Sequence, residues 1–149
     1  MMHQKSVLRV VSKLLIPPIL LFALYVQFHG DFGPGGGFQA GVIFAAAFIL
    51  YGLIFGIATA RRVIPAVATR TMLAFGLLLY AGTGVWSLLL GGEFLDYSIL
   101  ASTPKAGQHL GILLVEFGVG MTVAGAMTTI FYTFAAQTLG GDEPPEEEV

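Results

Sequence analysis

The chain has 149 residues, of which 56% are hydrophobic and only 11% carry a charge. A soluble domain has about a quarter charged residues, so this composition excludes an ordinary soluble domain and indicates a membrane protein. The net charge of −2 comes from the C-terminus, where residues 142–149 hold five of the nine acids, and no basic patch indicates nucleic-acid binding. The absence of cysteine excludes disulfides, thiolate metal sites and a cysteine nucleophile.

Four apolar runs approach or exceed the roughly 20 residues that a helix needs to cross a bilayer. They cover Leu14–Phe28, Phe38–Thr59, Thr71–Leu90 and Gln108–Phe134. Because polar and apolar residues do not alternate in these runs, they predict helices and not barrel strands. Proline disfavours helix at the preceding residue, so the pair Pro17-Pro18 predicts that the first helix begins only at Pro17, after an interfacial lead-in.

The fold prediction is therefore all-α, an integral membrane bundle of four transmembrane helices. Residues 1–136 form this domain, and residues 137–149 are expected to be a disordered acidic tail, because that segment has no apolar face. Short basic loops stay on the cytoplasmic side of a membrane. Six of the seven basic residues precede the first helix or follow the second, which predicts that both termini are cytoplasmic.

A glycine-rich segment joins the first two predicted helices. Its centre is the sequence Pro34-Gly35-Gly36-Gly37-Phe38. Glycine adopts dihedrals that other residues avoid and proline cannot continue a helix, so the segment predicts a tight irregular turn. The spacing of a phosphate-binding loop is absent. Two interpretations stay open: a plain turn between closely packed helices, or a structured loop that caps the second helix and exposes His29 or Asp31.

Glu116 is the only acid or base well inside a predicted span. A charged side chain at the bilayer centre costs roughly 2.5–3.5 kcal/mol on insertion scales, so Glu116 must face protein or water. His109 precedes it by seven residues and therefore shares its helix face, about 10 Å away along the axis. The pair is a candidate ion path or proton relay. The alternative is a structural carboxyl group that is hydrogen-bonded to a neighbouring helix.

Glycines recur on the opposite side of the fourth predicted helix, and the second helix carries its own small residues. Such residues let membrane helices approach closely. We expect helix packing at Gly41, Gly52, Gly111, Gly118 and Gly125. No serine triad and no metal-spaced cluster of His, Asp or Glu appears in the sequence. The chain is therefore not expected to be an enzyme by itself, and no metal or other cofactor is predicted.

Two segments together resemble a known family. They are the glycine turn with its flanks, residues 28–43 continuing into 45–51, and the run Leu114-Val115-Glu116-Phe117-Gly118-Val119-Gly120-Met121-Thr122-Val123-Ala124-Gly125. They are similar to the B subunit of Mrp-type multisubunit Na⁺/H⁺ antiporters. The resemblance implies a small accessory subunit in the bacterial inner membrane, where other membrane subunits and the lipid bilayer are its partners and Na⁺ and H⁺ are the transported ions.

Three alternatives to an ion-path subunit of the antiporter stay open at this stage. The chain is then a purely structural subunit that assembles its partners, a small transporter that acts as a homo-oligomer, or the corresponding subunit of a membrane-bound hydrogenase. The sequence alone does not separate an antiporter from a hydrogenase complex. It also leaves open whether Glu116 binds an ion or is structural.

Overall fold

The structure is a computed structural model that describes residues 2–30 and 33–140. Its helices are α1 (Met2–His29), α2 (Gly37–Phe55), α3 (Ile57–Val63), α4 (Ala66–Leu89) and α5 (Pro104–Gly140), with a short 3-10 helix at Tyr97–Ile99. No strand occurs in this part of the chain, and α1, α2, α4 and α5 are long and apolar enough to cross a membrane. The prediction of an all-helical chain with four candidate spans is confirmed.

The first helix begins far earlier than the sequence indicated. The prediction that helix starts at Pro17 is wrong, because α1 runs without a break from Met2 through Pro17 and Pro18. A proline removes one amide donor from a helix, but membrane helices tolerate this loss because nearby groups satisfy the freed carbonyls again. The N-terminal segment is thus part of a helix of 28 residues and not an irregular lead-in.

The second predicted helix is divided in the structure. It was expected to reach Thr59, yet α2 ends at Phe55, because Gly56 takes φ 90° and ψ 151°, a backbone conformation that favours glycine. The short helix α3 follows and carries Arg61 and Arg62. At 1.5 Å per residue, the 19 residues of α2 extend about 28 Å, which nearly equals the hydrocarbon thickness of about 30 Å.

The last helix is longer than predicted at both ends. It begins at Pro104, whose missing amide costs nothing in the first turn of a helix. Thr103 caps this end, since its Oγ1 accepts a hydrogen bond from the Ala106 amide at 3.3 Å. Residues 137–140, which were assigned to the acidic tail, continue α5. The rest of the predicted tail, 141–149, lies outside the described residues.

The four long helices form an open row. In space the order is α1, α2, α5, α4, and α1 touches α5 over only a short stretch. Glycines allow these close approaches. A β-carbon built at Gly118 would lie 2.8 Å from the Gly76 carbonyl oxygen, and one at Gly125 would lie 2.7 Å from the Thr69 backbone carbonyl oxygen. Gly111 lies directly beneath the ring of Tyr97.

Glycines of α2 make equally close contacts. A β-carbon at Gly41 would lie 2.6 Å from the Gly120 oxygen of α5, and one at Gly52 would lie 2.7 Å from the ring of Phe131. The row is therefore held by backbone approach on both sides of α5. Such packing replaces the hydrophobic effect, which does not drive helices together inside a lipid environment.

Tyr132 joins α5 to the segment that follows α3. It is only 4% exposed, and its hydroxyl donates a hydrogen bond of 3.0 Å to the Ile64 carbonyl. Arg61 stacks over the Tyr132 ring at 5.4 Å and donates to the Tyr132 carbonyl at 3.3 Å. Tyr132 is therefore an internal link between α5 and α3 and not a lipid-facing residue.

The loop before α5 also packs inward. Asp96 Oδ1 accepts from the Ser98 amide at 3.0 Å and so starts the 3-10 helix. Tyr97 then rests on Gly111, and its partial burial, followed by the nearby Tyr80, raises the pKa of the Tyr97 phenol above its usual 10.0. The phenol therefore stays neutral at physiological pH.

We expect Gly118→Ala to destabilise the fold by about 1–3 kcal/mol, because the new methyl group meets backbone atoms of α4 that cannot move aside alone. The matched control is Gly82→Ala in α4, where a β-carbon meets nothing within 4 Å. That change should be neutral or stabilise by up to about 1 kcal/mol, because alanine favours helix. Thermal unfolding of the purified variants in detergent measures both. Equal midpoints for the two variants would contradict the close α4–α5 contact.

Candidate functional site

The glycine turn folds back onto the end of α1. The Gly36 amide donates to the Val26 carbonyl at 3.1 Å, and the Gly33 amide donates to the His29 carbonyl at 3.2 Å. Gly36 has φ 113° and ψ 178°, a backbone conformation that residues other than glycine rarely adopt. Its carbonyl accepts the first helical hydrogen bond of α2, from the Ala40 amide. The turn is therefore a structured loop that fixes the end of α1 against the start of α2.

The carboxyl group of Glu116 lies against this turn. A β-carbon at Gly30 would lie 2.5 Å from Glu116 Oε2, and one at Gly36 would lie 2.9 Å from Oε1. A β-carbon at Gly37 would run into the backbone carbonyl of Glu116 itself. Gly30 and Gly36 thus leave the space that the carboxyl group occupies, and Gly37 leaves room for the backbone of Glu116, so a larger residue at any of the three positions would meet Glu116.

Glu116 stands at one end of α2 and not halfway along it. It lies about one third of the way along α5, as it did in the predicted span, but its neighbours Gly36 and Gly37 are the first residues of α2 or precede it. Next to it, Gly118 packs against Gly76 and Tyr80 near the middle of α4, so this level lies within the candidate spans α4 and α5. The side chain is half-buried. A carboxyl group here meets protein backbone on one side and remains reachable from the other.

The two faces of α5 contact different parts of the chain. Gly118 and Gly125 pack on α4, whereas Glu116 and Gly120 face the turn and the start of α2. The sequence required only that Glu116 face protein or water. The structure shows that the α1–α2 turn of the same chain contacts it.

The two histidines near the site occupy different places. His109 is exposed, and seven residues of helix separate it from Glu116, which is about 10 Å of rise. His29 ends α1 directly before Gly30, and its ring stacks on Tyr25 with centroids 5.1 Å apart. Asp31, also named with the exposed-loop interpretation, lies outside the described residues. Over residues 2–30 and 33–140, no group of three or more His, Asp or Glu residues has an arrangement that would hold a metal ion.

Sequence reasoning found Glu116 and the turn separately but did not connect them. The connection follows from contacts between residues about 80 positions apart, which a single sequence does not display. One pattern did point to it: Gly30, Gly36 and Gly37 concentrate near a chain reversal, where a bulky neighbour from elsewhere must fit. Gln27 was not predicted either: its side-chain Nε2 is buried without a hydrogen-bond partner among the described residues, but a lone amide two residues before a helix end has no distinctive spacing.

Comparison with known proteins identifies the family. A family profile described as a domain related to the MnhB subunit of Na⁺/H⁺ antiporters matches residues 7–129. The chain belongs to this family. It is 34% identical over 138 residues to antiporter subunit mnhB2 of Staphylococcus aureus strain Newman, a match that covers 91% of this chain and 97% of that protein. The mnhB2 proteins of strains JH1 and COL match to the same extent. The resemblance to the B subunit of Mrp-type antiporters is thus confirmed.

A double-mutant cycle tests the contact between Glu116 and the turn. Gly30→Ala alone should destabilise the fold by about 1–3 kcal/mol, because the atoms nearest to its methyl group belong to the Glu116 carboxyl group. The same change made in a Glu116→Ala background should cost much less, since those atoms are gone. Thermal unfolding in detergent gives the four midpoints of the cycle.

The matched control is Gly36→Ala, which should remain destabilising in the Glu116→Ala background because its positive φ is strained for alanine whatever space is available. Additive effects of Gly30→Ala and Glu116→Ala would show that the carboxyl group does not rest on the turn.

Proposed function

We propose that Glu116 and the α1–α2 turn form a site on the ion path of a multisubunit antiporter, at the face where this chain meets a larger subunit. We call it the Glu116 site. MnhB-family membership makes the chain a subunit of a multisubunit Na⁺/H⁺ antiporter in the bacterial cell membrane. It is a multi-pass membrane protein of a transporter family, with other membrane subunits as partners. The membrane-bound hydrogenase alternative is not favoured, because the relatives are antiporter subunits.

A single observation carries the proposal: the one acid within the four spans lies half-buried at the end of α2, against glycine backbone. Ionisable residues inside membrane spans are costly and commonly mark ion or proton pathways, so Glu116 is the residue that would carry a proton or bind Na⁺. Glycine neighbours add no side chain that would cover the oxygens. The remaining side of Glu116 is where a path continues into a partner subunit.

A structural role is the second candidate, and the close fit to Gly30, Gly36 and Gly37 favours it to the same degree. In that case the carboxyl group only ties α5 to the turn, and its charge is of no consequence for transport. His109 belongs to the first candidate: it is exposed on the same helix towards the start of α5, where a proton relay to Glu116 would begin.

Glu116→Gln in the assembled complex separates the two roles, since it keeps size and hydrogen bonding but removes the charge and the exchangeable proton. We expect Na⁺-driven proton exchange in membrane vesicles to fall at least about tenfold, with normal assembly on a native gel. The matched control is Glu93→Gln, in the exposed loop before α5, which should leave exchange unchanged. Normal exchange in an intact Glu116→Gln complex would reject the ion-path role, and loss of assembly would support the structural one.

Both termini are proposed to be cytoplasmic. Lys13 of α1 lies 5.7 Å from the Phe55 ring centroid at the end of α2, and Arg61 stacks on Tyr132 near the end of α5. Basic residues of α1 and α3 therefore gather at one end of the bundle, and the positive-inside rule favours the cytoplasm for that end. The α1–α2 turn and the Glu93–Gly107 loop then face the outside of the cell, and the Glu116 site opens towards that external side.

The chain has no cysteine, so single cysteines report its orientation without background. Ser102→Cys in the loop before α5 should react with a membrane-impermeant maleimide in intact cells. Thr59→Cys in α3 is equally exposed and should react only after the cells are permeabilised. The reverse pattern would place the termini outside. Neither variant removes a charge, so the topology itself is undisturbed.

A further inference from the structure

A cavity of about 360 Å³ lies on one side of the helix row, mainly between α1, α2 and α5. Its walls are apolar and include Ala23, Phe44, Met121 and Ala124. Among the described residues that line it, Gln27 alone has a polar side chain. The cavity is too small for a whole helix, whose diameter with side chains is about 10–12 Å, but it has room for side chains that enter from outside.

The Gln27 amide is the group in this cavity that needs a partner. The residue is only 6% exposed, and its Nε2 is buried without a hydrogen-bond partner among the described residues. Buried donors are almost always paired in folded proteins, because a donor without an acceptor loses its hydration and gains nothing in return. The unpaired Nε2 therefore indicates an acceptor that comes from another molecule.

The depth of Gln27 decides which kind of molecule provides that acceptor. A β-carbon built at Gly120 would lie 2.5 Å from Gln27 Oε1, so the amide is level with Gly120 of α5. Two residues earlier on the same helix, Gly118 packs on Gly76 near the middle of α4. The amide thus lies within the candidate spans α4 and α5, where the surrounding lipid is hydrocarbon and offers no acceptor. The acceptor is therefore a protein group.

The apolar walls also select the charge of the acceptor. An ordered water needs two to four polar partners, and Gln27 is the one polar side chain in the described lining. A carboxylate needs several donors to offset its burial, and Gln27 provides one. A neutral hydroxyl or amide oxygen needs only the single hydrogen bond that Gln27 Nε2 donates. Membrane helices form such bonds with each other through Ser, Thr, Asn and Gln side chains.

The cavity is open on the side from which a partner helix would approach. Leu24 of α1 and Phe117 of α5 are part of its lining and are 48% and 44% exposed. Because α1 and α5 touch over only a short stretch, a groove between these two helices leads into the cavity. The chain is a subunit of a multisubunit antiporter, so helices of other membrane subunits surround it in the complex.

We propose that this groove is the docking surface for a transmembrane helix of a partner subunit, which inserts one neutral polar side chain into the cavity as the acceptor for Gln27 Nε2. The partner helix packs along Leu24 and Phe117, outside the cavity, and only its side chains enter. The hydrogen bond fixes the register of the partner helix, as a single polar residue does in an otherwise apolar helix interface. The proposal requires a multisubunit complex but not the ion role of Glu116, so each is tested separately.

Photocrosslinking in the assembled complex tests this surface. The photoreactive amino acid p-benzoylphenylalanine is placed at Leu24 and, in a second variant, at Phe117. Each purified complex is illuminated, and the crosslinked peptides are identified by mass spectrometry. Both positions should crosslink to the same membrane segment of one other subunit, because they flank one groove. That segment should carry a Ser, Thr, Asn or Gln within one helical turn of the residue that is crosslinked most.

Gln27→Met then tests the hydrogen bond, because methionine is also unbranched but has no donor. The ratio of crosslinks at the main partner residue to crosslinks one turn away should fall about two- to tenfold, the range expected for one hydrogen bond between membrane helices. Gln39→Met is the matched control: Gln39 is exposed near the start of α2, so the ratio should persist. Replacing the polar residue of the partner segment with leucine should lower the ratio equally, and combining it with Gln27→Met should lower it no further.

Three results would overturn the proposal. The first is crosslinking to lipid alone from both positions, and the second is a partner segment without a polar side chain at this level. The third is a crosslink ratio that Gln27→Met leaves unchanged in an intact complex. The first two results need no variant of Gln27, so they decide the question even where Gln27→Met fails to assemble.

Discussion

The arrangement of this protein depends on the contact between a carboxyl group and a backbone that has no side chains. Glu116 reaches across from α5, and Gly30, Gly36 and Gly37 leave room for it. In a lipid environment an acid of this kind is costly unless protein or water surrounds it. The turn provides part of such surroundings, and the acid in turn packs between the end of α1 and the start of α2. The candidate site and the scaffold are therefore the same set of contacts.

Packing without a hydrophobic driving force explains the rest of the architecture. Many of the large apolar side chains point outwards, as Leu21 and Leu89 do, while glycine, alanine, threonine and serine occupy the contacts between helices. Thr69 and Ser87 are buried where a soluble protein would place leucine. Each hydroxyl is satisfied by a carbonyl one turn earlier on its own helix or by a partner such as Thr129. Small residues bring backbones close, so dispersion and short polar contacts act over the whole length of α5.

Hydropathy predicted the number of long helices and the all-helical class, because a spanning segment must satisfy its own backbone and so has little choice of structure. The ends of the helices were less predictable. Pro17 and Pro18 had predicted a helix start and lie instead within α1, whereas Gly56, inside the second predicted span, interrupts that apolar run through its positive φ. Glu116 was recognised from its chemistry alone. Its partner was not, because the contact joins α5 to a turn about 80 residues earlier. The amide of Gln27 was invisible for a similar reason, since only the assembled groove shows that a donor lacks an acceptor.

The open row of helices gives this subunit two broad sides instead of one closed surface. In a closed bundle, each helix has one side buried in the core, so only its outer side is available for contact with neighbouring proteins. Here α2 and α5 occupy the middle of the row, and each is reachable from both directions. The row of helices therefore offers two separate contact surfaces, one on each side, to neighbouring molecules. Such a shape suits a small subunit of a large assembly, because both sides of the row are available for contact with other subunits and the subunit needs no closed core.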